Sequence, residues 1–212
     1  MGRLPPAARR RPPDFALDAA DDAAFAALGP RIAAYLYANF PALHGLGQHR
    51  PHFDPARGRT TDPVEHTVEV IAALDTSGLA PRDVAIVRAA AVFHDIGKMG
   101  NPFNVRHAVE SAALCGPYLA DFALSASERA DVVSVIANHD TLGRLAQGRI
   151  GADEAAAFFG SRRIARLTAR LTRADIRSIR GFSDAVLPSI EAAYGAVAEA
   201  FRHVAGNAAD RE

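Results

Sequence analysis

Cysteine is all but missing: Cys115 stands alone among 212 residues, so no internal disulfide can form and nothing in the fold asks for an oxidising compartment. Long apolar runs are missing too. Arg, Asp, Gly or Pro interrupts the most apolar segments before they reach the roughly 18 to 20 residues that span a bilayer, and no membrane partner is expected. Net charge is also absent, because 24 basic and 24 acidic residues cancel. No global field then draws the chain onto nucleic acid or a membrane, and any anionic partner has to be caught locally. There is no internal repeat and, beyond the first residues, no composition shift that marks a second domain. Residues 1–13 carry Arg3, Arg9, Arg10 and Arg11 among four prolines without the apolar run of a secretory signal. They read as a flexible basic tail, and the expected compartment is the cytoplasm.

What is present is an ordinary globular composition, 49% hydrophobic and 23% charged, over a length that can bury one sizeable core across residues 14–212. The local signals are helical. Asp21 or Asp22 can open a helix toward Phe40 that Gly29-Pro30 interrupts. From Pro41 to Thr61 the glycines, prolines and histidines spell a loop, long enough to line a site. Asp62, Pro63 and Glu65 then form a helix start with a capping box, placing His66 in the first turn of a helix that ends near Gly78. A helix from Pro81 delivers His94-Asp95 at its C-terminal end before Gly97. Helical runs follow over His107–Leu114, Ser127–Asn138 with Ser127 as cap, Ala152–Phe159, Arg162–Arg180 and Pro188–Val204. The expected fold class is all-α, a single bundle of about seven or eight helices.

Eight histidines are spread along the chain, and any one of them is read first as a surface or satisfied core residue. Their order is more telling. His66, His94-Asp95 after 28 residues, His107, His139 and Asp175 place imidazoles and carboxylates at the ends of successive helices, where side chains can converge. Nitrogen and oxygen donors without thiolates suit a divalent transition metal and not a closed structural zinc site. Taken separately, His107 could be a helix-start histidine bonding to backbone and His139 a C-terminal histidine favoured by the helix dipole. His44, His49, Arg50 and His52 could reach a substrate from the long loop, but are read first as surface residues. His203 is assigned no role.

Val64-Glu65-His66-Thr67-Val68-Glu69-Val70, Phe93-His94-Asp95-Ile96-Gly97-Lys98, His107-Ala108-Val109-Glu110-Ser111-Ala112, Ala137-Asn138-His139 and Leu171-Thr172-Arg173-Ala174-Asp175 resemble, in order, the motifs of the HD superfamily. The resemblance covers roughly residues 62 to 180 and is nearest to the HD domains attached to some tRNA nucleotidyltransferases, whose nucleotidyltransferase part has no counterpart here. It implies a metal-dependent phosphohydrolase in which His66, His94, Asp95 and Asp175 bind a first metal. His107 and His139 would bind a second metal or contact the substrate phosphate, with Asp95 bridging if two ions are present. Two-metal members often pair histidines where this chain has Asn138-His139. The implied cofactor is one or two ions of Mn, Ni, Co, Fe or Zn, and the implied substrate a small phosphate mono- or diester, a nucleotide first of all. Similar ligand patterns occur in di-iron oxygenases of the same fold, and a ligand-binding regulator without turnover is a third reading.

Two further residues follow from local geometry. At 100° per residue, Arg163, Arg166, Arg170, Arg173, Arg177 and Arg180 form one stripe, while Asp175 falls opposite, among Ile164, Thr168 and Leu171. A lone carboxylate on a buried face calls for a cation, and the arginines point away from it. The stripe is expected to be a solvated face paired with acids, which makes a nucleic-acid partner possible but not favoured. Lys98, three residues past Asp95, can either stabilise charge on a phosphoryl group as a catalytic residue or simply sit as a cation near a helix end.

Overall fold

The computed structural model describes residues 11–179 and 183–209; residues 1–10 of the basic tail and Arg180 of the stripe lie outside them. The all-α expectation holds. The first two helices, α1 (Asp22–Ala26) and α2 (Gly29–Asn39), are separated at Gly29-Pro30 as expected. Asp21 caps α1 by accepting the Ala24 N–H at 2.7 Å. Gly29 serves a close crossing, since a Cβ there would lie 2.9 Å from the Val68 side chain. The long loop contains two short 3-10 turns and a two-residue hairpin, β1 (Phe53–Asp54) against β2 (Arg59–Thr60), antiparallel with Phe53 opposite Thr60.

Helix α3 (Pro63–Ala72) begins with the expected capping box. The Asp62 carboxylate accepts the N–H groups of Val64 and Glu65, and the Glu65 carboxylate accepts the Asp62 N–H. It ends at Ala72, earlier than Gly78, because side chains take over the backbone donors beyond it. Asp75 accepts the Ser77 N–H at 2.9 Å, and Asp22 accepts both the N–H and the hydroxyl of Thr76.

Helix α4 (Pro81–Phe93) is the axis of the bundle: every residue from Ile86 to Phe93 is buried, and a helix without a solvent face must lie inside. Around it pack α3, α5 (His107–Leu119), α6 (Ala126–Ala137) and α9 (Arg162–Ser178). Arg88 is tolerated in this core because its guanidinium donates to the carbonyls of Leu17 and Ala19 and to Asp22, and rests on the Phe25 ring. An aromatic cluster of Phe15, Tyr35, Phe93, Tyr118 and Phe122 fills one side.

Other expectations need correction. The cap of α6 is Ser125, not Ser127, since Ser125 and Glu128 have the spacing of a capping box and form one. Helix α5 runs past Leu114 to Leu119 despite Pro117, one turn from its end, where burial of Cys115 and Leu119 holds the last turn. Short α7 (Thr141–Ala146) was not legible. After α8 (Ala152–Phe159), as expected, α10 (Ser183–Ala209) starts before Pro188 and packs on α7, α8 and α9.

The arginine stripe of α9 meets acids from neighbouring elements. Arg163 pairs with Asp83 and Asp131, Arg166 with Asp83, Arg170 with Asp75 and Arg173 with Glu191. Asp83 is 3% exposed, whereas the Asp75 side chain is 47% exposed, and this difference sets their weights. Asp83→Ala, which removes the buried acid that Arg163 and Arg166 share, should cost about 2 kcal/mol, the scale of hydrogen bonds to a charged group; Arg170→Gln should cost less than about 1 kcal/mol. Urea unfolding of both variants checks this, and equal losses would contradict it.

Candidate metal centre

The central helix determines where the site forms. Because α4 is buried from Ile86 to Phe93, its C-terminal end opens into the middle of the molecule. His94 follows as C-cap and Asp95 as the next residue, 0% and 1% exposed. A 3-10 turn over Ile96–Lys98 then brings Lys98 back over Asp95. His66 arrives from the first turn of α3, His107 from the first residue of α5, His139 from just past the end of α6, and Asp175 from the last turn of α9. All six side chains converge. Their donor atoms fall into two groups, His66, His94 and Asp175 in one, and Asp95, His107 and His139 in the other, each with its donors within 4.8 Å of one another.

Asp95 also faces the first group. Its Oδ2 lies 3.5 Å from His94 Nε2 and 3.9 Å from His66 Nε2, and its Oδ1 lies 3.5 Å from His107 Nε2. Lys98 donates to Oδ2 at 2.7 Å and to Gln48 Oε1 at 3.0 Å. Asn138 is turned away, its amide donating to the Ser134 and Phe158 carbonyls, so the position where some relatives carry a second histidine does not face the centre.

Whether a cation fits can be judged from the protons. His94, His107 and His139 place Nδ1 at 2.8–2.9 Å from the carbonyls of Ala91, Asn104 and Ile136. A carbonyl can only accept, so each Nδ1 carries the proton and each Nε2 presents a lone pair to the centre. The Ser178 hydroxyl donates to the Asp175 carbonyl, leaving its oxygen to accept from His66 Nδ1. Lone pairs therefore face one another. His66 Nε2 is 2.8 Å from Asp175 Oδ1, His107 Nε2 is 3.0 Å from His139 Nε2, and His94 Nε2 is buried with no partner among the described residues. A proton could bridge one such pair, but divalent cations satisfy all of them together.

The electrostatics agree. Burial alone would raise the Asp95 carboxyl, but the Lys98 ammonium, joined by His94, His107 and His66 whenever these are protonated, outweighs it and holds it well below the usual carboxylate range. Asp175 is held low against burial by the hydrogen bond and charge that His66 supplies when its Nε2 is protonated. Burial pushes His94, His107 and His139 down, toward the neutral form. Ionised carboxylates and neutral imidazoles are the states in which these groups ligate metal.

Three residues escaped the sequence reading. His52, read first as a surface residue, is half-buried with its ring edge-on to His66 at 4.6 Å between centroids, and burial next to His66 and Lys98 lowers it to about 3. Gln48, 6% exposed, holds Lys98. Ser178 orients His66. The length of the 41–61 loop was the available signal for the first two; nothing marked Ser178. His49 packs on Phe103 and His44 on Tyr37. The side chain of Arg50 lies outside the described residues.

Fold and centre together define a helical protein with a His/Asp cage able to hold divalent metal. The HD domain family matches residues 64–180, and the chain belongs to that family, whose members are generally metal-dependent hydrolases. No curated protein and no solved structure matches it. No helix among the described residues is long and apolar enough to cross a membrane.

Gly97 gives this geometry a tight constraint. A Cβ there would stand 2.3 Å from the His107 carbonyl oxygen and 2.6 Å from the Ser111 nitrogen, while its own N–H donates to Ser111 Oγ at 2.8 Å. Gly97→Ala must push α5 outward and His107 with it. The expected outcome is a loss of about 1–3 kcal/mol in stability, as for overpacking, together with reduced metal retention. A melting curve and metal quantification both matching the native protein would refute it.

Proposed function

We propose that this chain is a metal-dependent phosphohydrolase that cleaves a phosphate mono- or diester, a nucleotide first among candidate substrates. The observation that carries the reading is the Asp95 carboxylate, with one oxygen toward the His66, His94 and Asp175 group and the other toward His107. One bridging carboxylate between two donor groups is the arrangement that holds two ions side by side, and the nitrogen and oxygen donors suit Mn, Ni, Co, Fe or Zn. The chemistry that divalent cations supply in such a cage is polarisation of a phosphoryl oxygen and a lowered pKa for water.

The chain's own residues do the rest. Asp95 keeps its negative charge under burial, and the three imidazoles tied to backbone carbonyls cannot swing away from the centre. Lys98 has three donors, of which Asp95 and Gln48 engage two; the third is available to an oxygen of the phosphoryl group, where a fixed cation favours developing charge.

The test begins with metal quantification on protein purified without chelator, followed by a phosphate-release screen with that metal. Asp95→Ala should lose metal and activity together while keeping its helical content, and full activity in this variant would sink the assignment. Lys98→Ala should keep the metal and turn over a phosphate ester about tenfold to a thousandfold more slowly. Iron with dioxygen consumption and no phosphate release would replace hydrolysis by an oxygenase reaction.

The arginine stripe should be irrelevant to a small substrate, because Arg163, Arg166, Arg170 and Arg173 are paired with acids on the side of α9 away from Asp175. Replacing Arg166, Arg170 and Arg173 by Gln should leave turnover of a small phosphate ester within about threefold, a surface-scale effect. A loss confined to an oligonucleotide substrate, with a weaker salt dependence, would make the stripe a nucleic-acid track.

A further inference from the structure

The segment from Gly45 to Thr61 precedes the stretch matched by the family, yet it is fastened onto the centre. The Gly45 N–H donates to Asp62 at 2.9 Å. Gln48 is held at three points: its N–H donates to Thr60 Oγ1, its amide nitrogen to the Thr61 carbonyl, and its amide oxygen accepts from Lys98. The Thr61 N–H donates to the His52 carbonyl at 2.9 Å. The backbone of His52 is therefore pinned, and its ring stands perpendicular to His66, at 86° and 4.6 Å.

His52 differs from the other histidines of the centre in one respect. His66, His94, His107 and His139 each tie one ring nitrogen to a protein oxygen and aim the other inward. Neither ring nitrogen of His52 makes a hydrogen bond among the described residues, although the ring packs edge-on against His66 at the centre. An imidazole held at the edge of a charged centre, with its N–H bonded to no protein group, is a donor open to a ligand. Beside Lys98 and next to the cage, the acceptor within reach would be an oxyanion.

We infer that His52 is a substrate-contacting residue, whose ring N–H donates a hydrogen bond to a phosphoryl oxygen held at the centre. This rests on the phosphohydrolase reading, and it places part of substrate recognition on a segment outside the matched HD region. His52 would add direction to the hold on the oxyanion where Lys98 adds charge.

The probe is inorganic phosphate, titrated calorimetrically into the full chain loaded with the metal it retains. The native protein should bind phosphate, and His52→Ala should bind it about ten- to a hundredfold more weakly, the scale of one hydrogen bond to a charged group, with metal content and helical circular dichroism unchanged. His52→Gln, which keeps an N–H donor, should recover most of the affinity. Undiminished phosphate affinity in folded, metal-loaded His52→Ala would overturn the inference alone, as would loss of metal, which would make His52 a ligand. Failure of Gln to recover what Ala loses would overturn the donor role. Native, metal-loaded protein that ignores phosphate would overturn the inference together with the phosphohydrolase reading.

Discussion

Everything near the centre answers to one unfavourable fact, the burial of the Asp95 carboxylate. A charge 1% exposed costs several kcal/mol unless cations or donors compensate it. Lys98 supplies one compensation, fixed in place by Gln48. The Asp95 oxygens otherwise look onto imidazole nitrogens that present lone pairs, which offer no relief to an anion. Only the addition of positive charge between them resolves the conflict, and this is the sense in which the cage and a metal imply each other. The packing explains why the conflict exists at all. A helix buried on every side has to run through the middle, so whatever follows its last turn is delivered into the interior.

Much of this was legible in the sequence because the signals were local and chemically specific. The Asp62-Pro63-Glu65 start fixed the first turn that carries His66, and the helix opened by Pro81 had to end before Gly97, where His94-Asp95 emerge. The 100° geometry of α9 separated Asp175 from the arginines, and the paired acids at Asp75, Asp83, Asp131 and Glu191 bear out the solvated-face reading. Less legible were features decided by competing hydrogen bonds or by contacts distant in sequence. The end of α3 is set by Asp22 reaching Thr76 across 54 residues. The choice of Ser125 over Ser127 turns on which hydroxyl reaches the N–H three residues on. His52 and Gln48 carry no periodic pattern, and their burial follows from a loop folding over residues that come later in the chain.

The two readings of His107 and His139 that compete on sequence grounds prove compatible. Each histidine bonds to a backbone carbonyl three residues earlier, as a helix-end histidine would, and the same bond fixes the proton on Nδ1. His94 does likewise with Ala91. Carbonyls near a helix end, or in the turn before one, have spare accepting capacity. Using it to hold an imidazole satisfies the backbone and at the same time sets the tautomer and direction of Nε2. Local folding chemistry and the orientation of the donor set are one interaction seen from two sides, so these histidines can be prepared for a cation before any arrives.

Charge then links the binding of metal to the binding of anything anionic. On α9, Arg163, Arg166, Arg170 and Arg173 are spent on acids at the outer face, and the bare cage sets two carboxylates against the ammonium of Lys98. A phosphate ester approaching that cage would meet carboxylates and inward-facing lone pairs, with Lys98 already committed to Asp95. A divalent cation reverses the local sign, because its two charges exceed the single negative charge left by Asp95, Asp175 and Lys98. Anion affinity should therefore follow metal occupancy, with the metal binding first. A chain with no net charge can in this way attract a phosphorylated substrate to one place only once that place is filled.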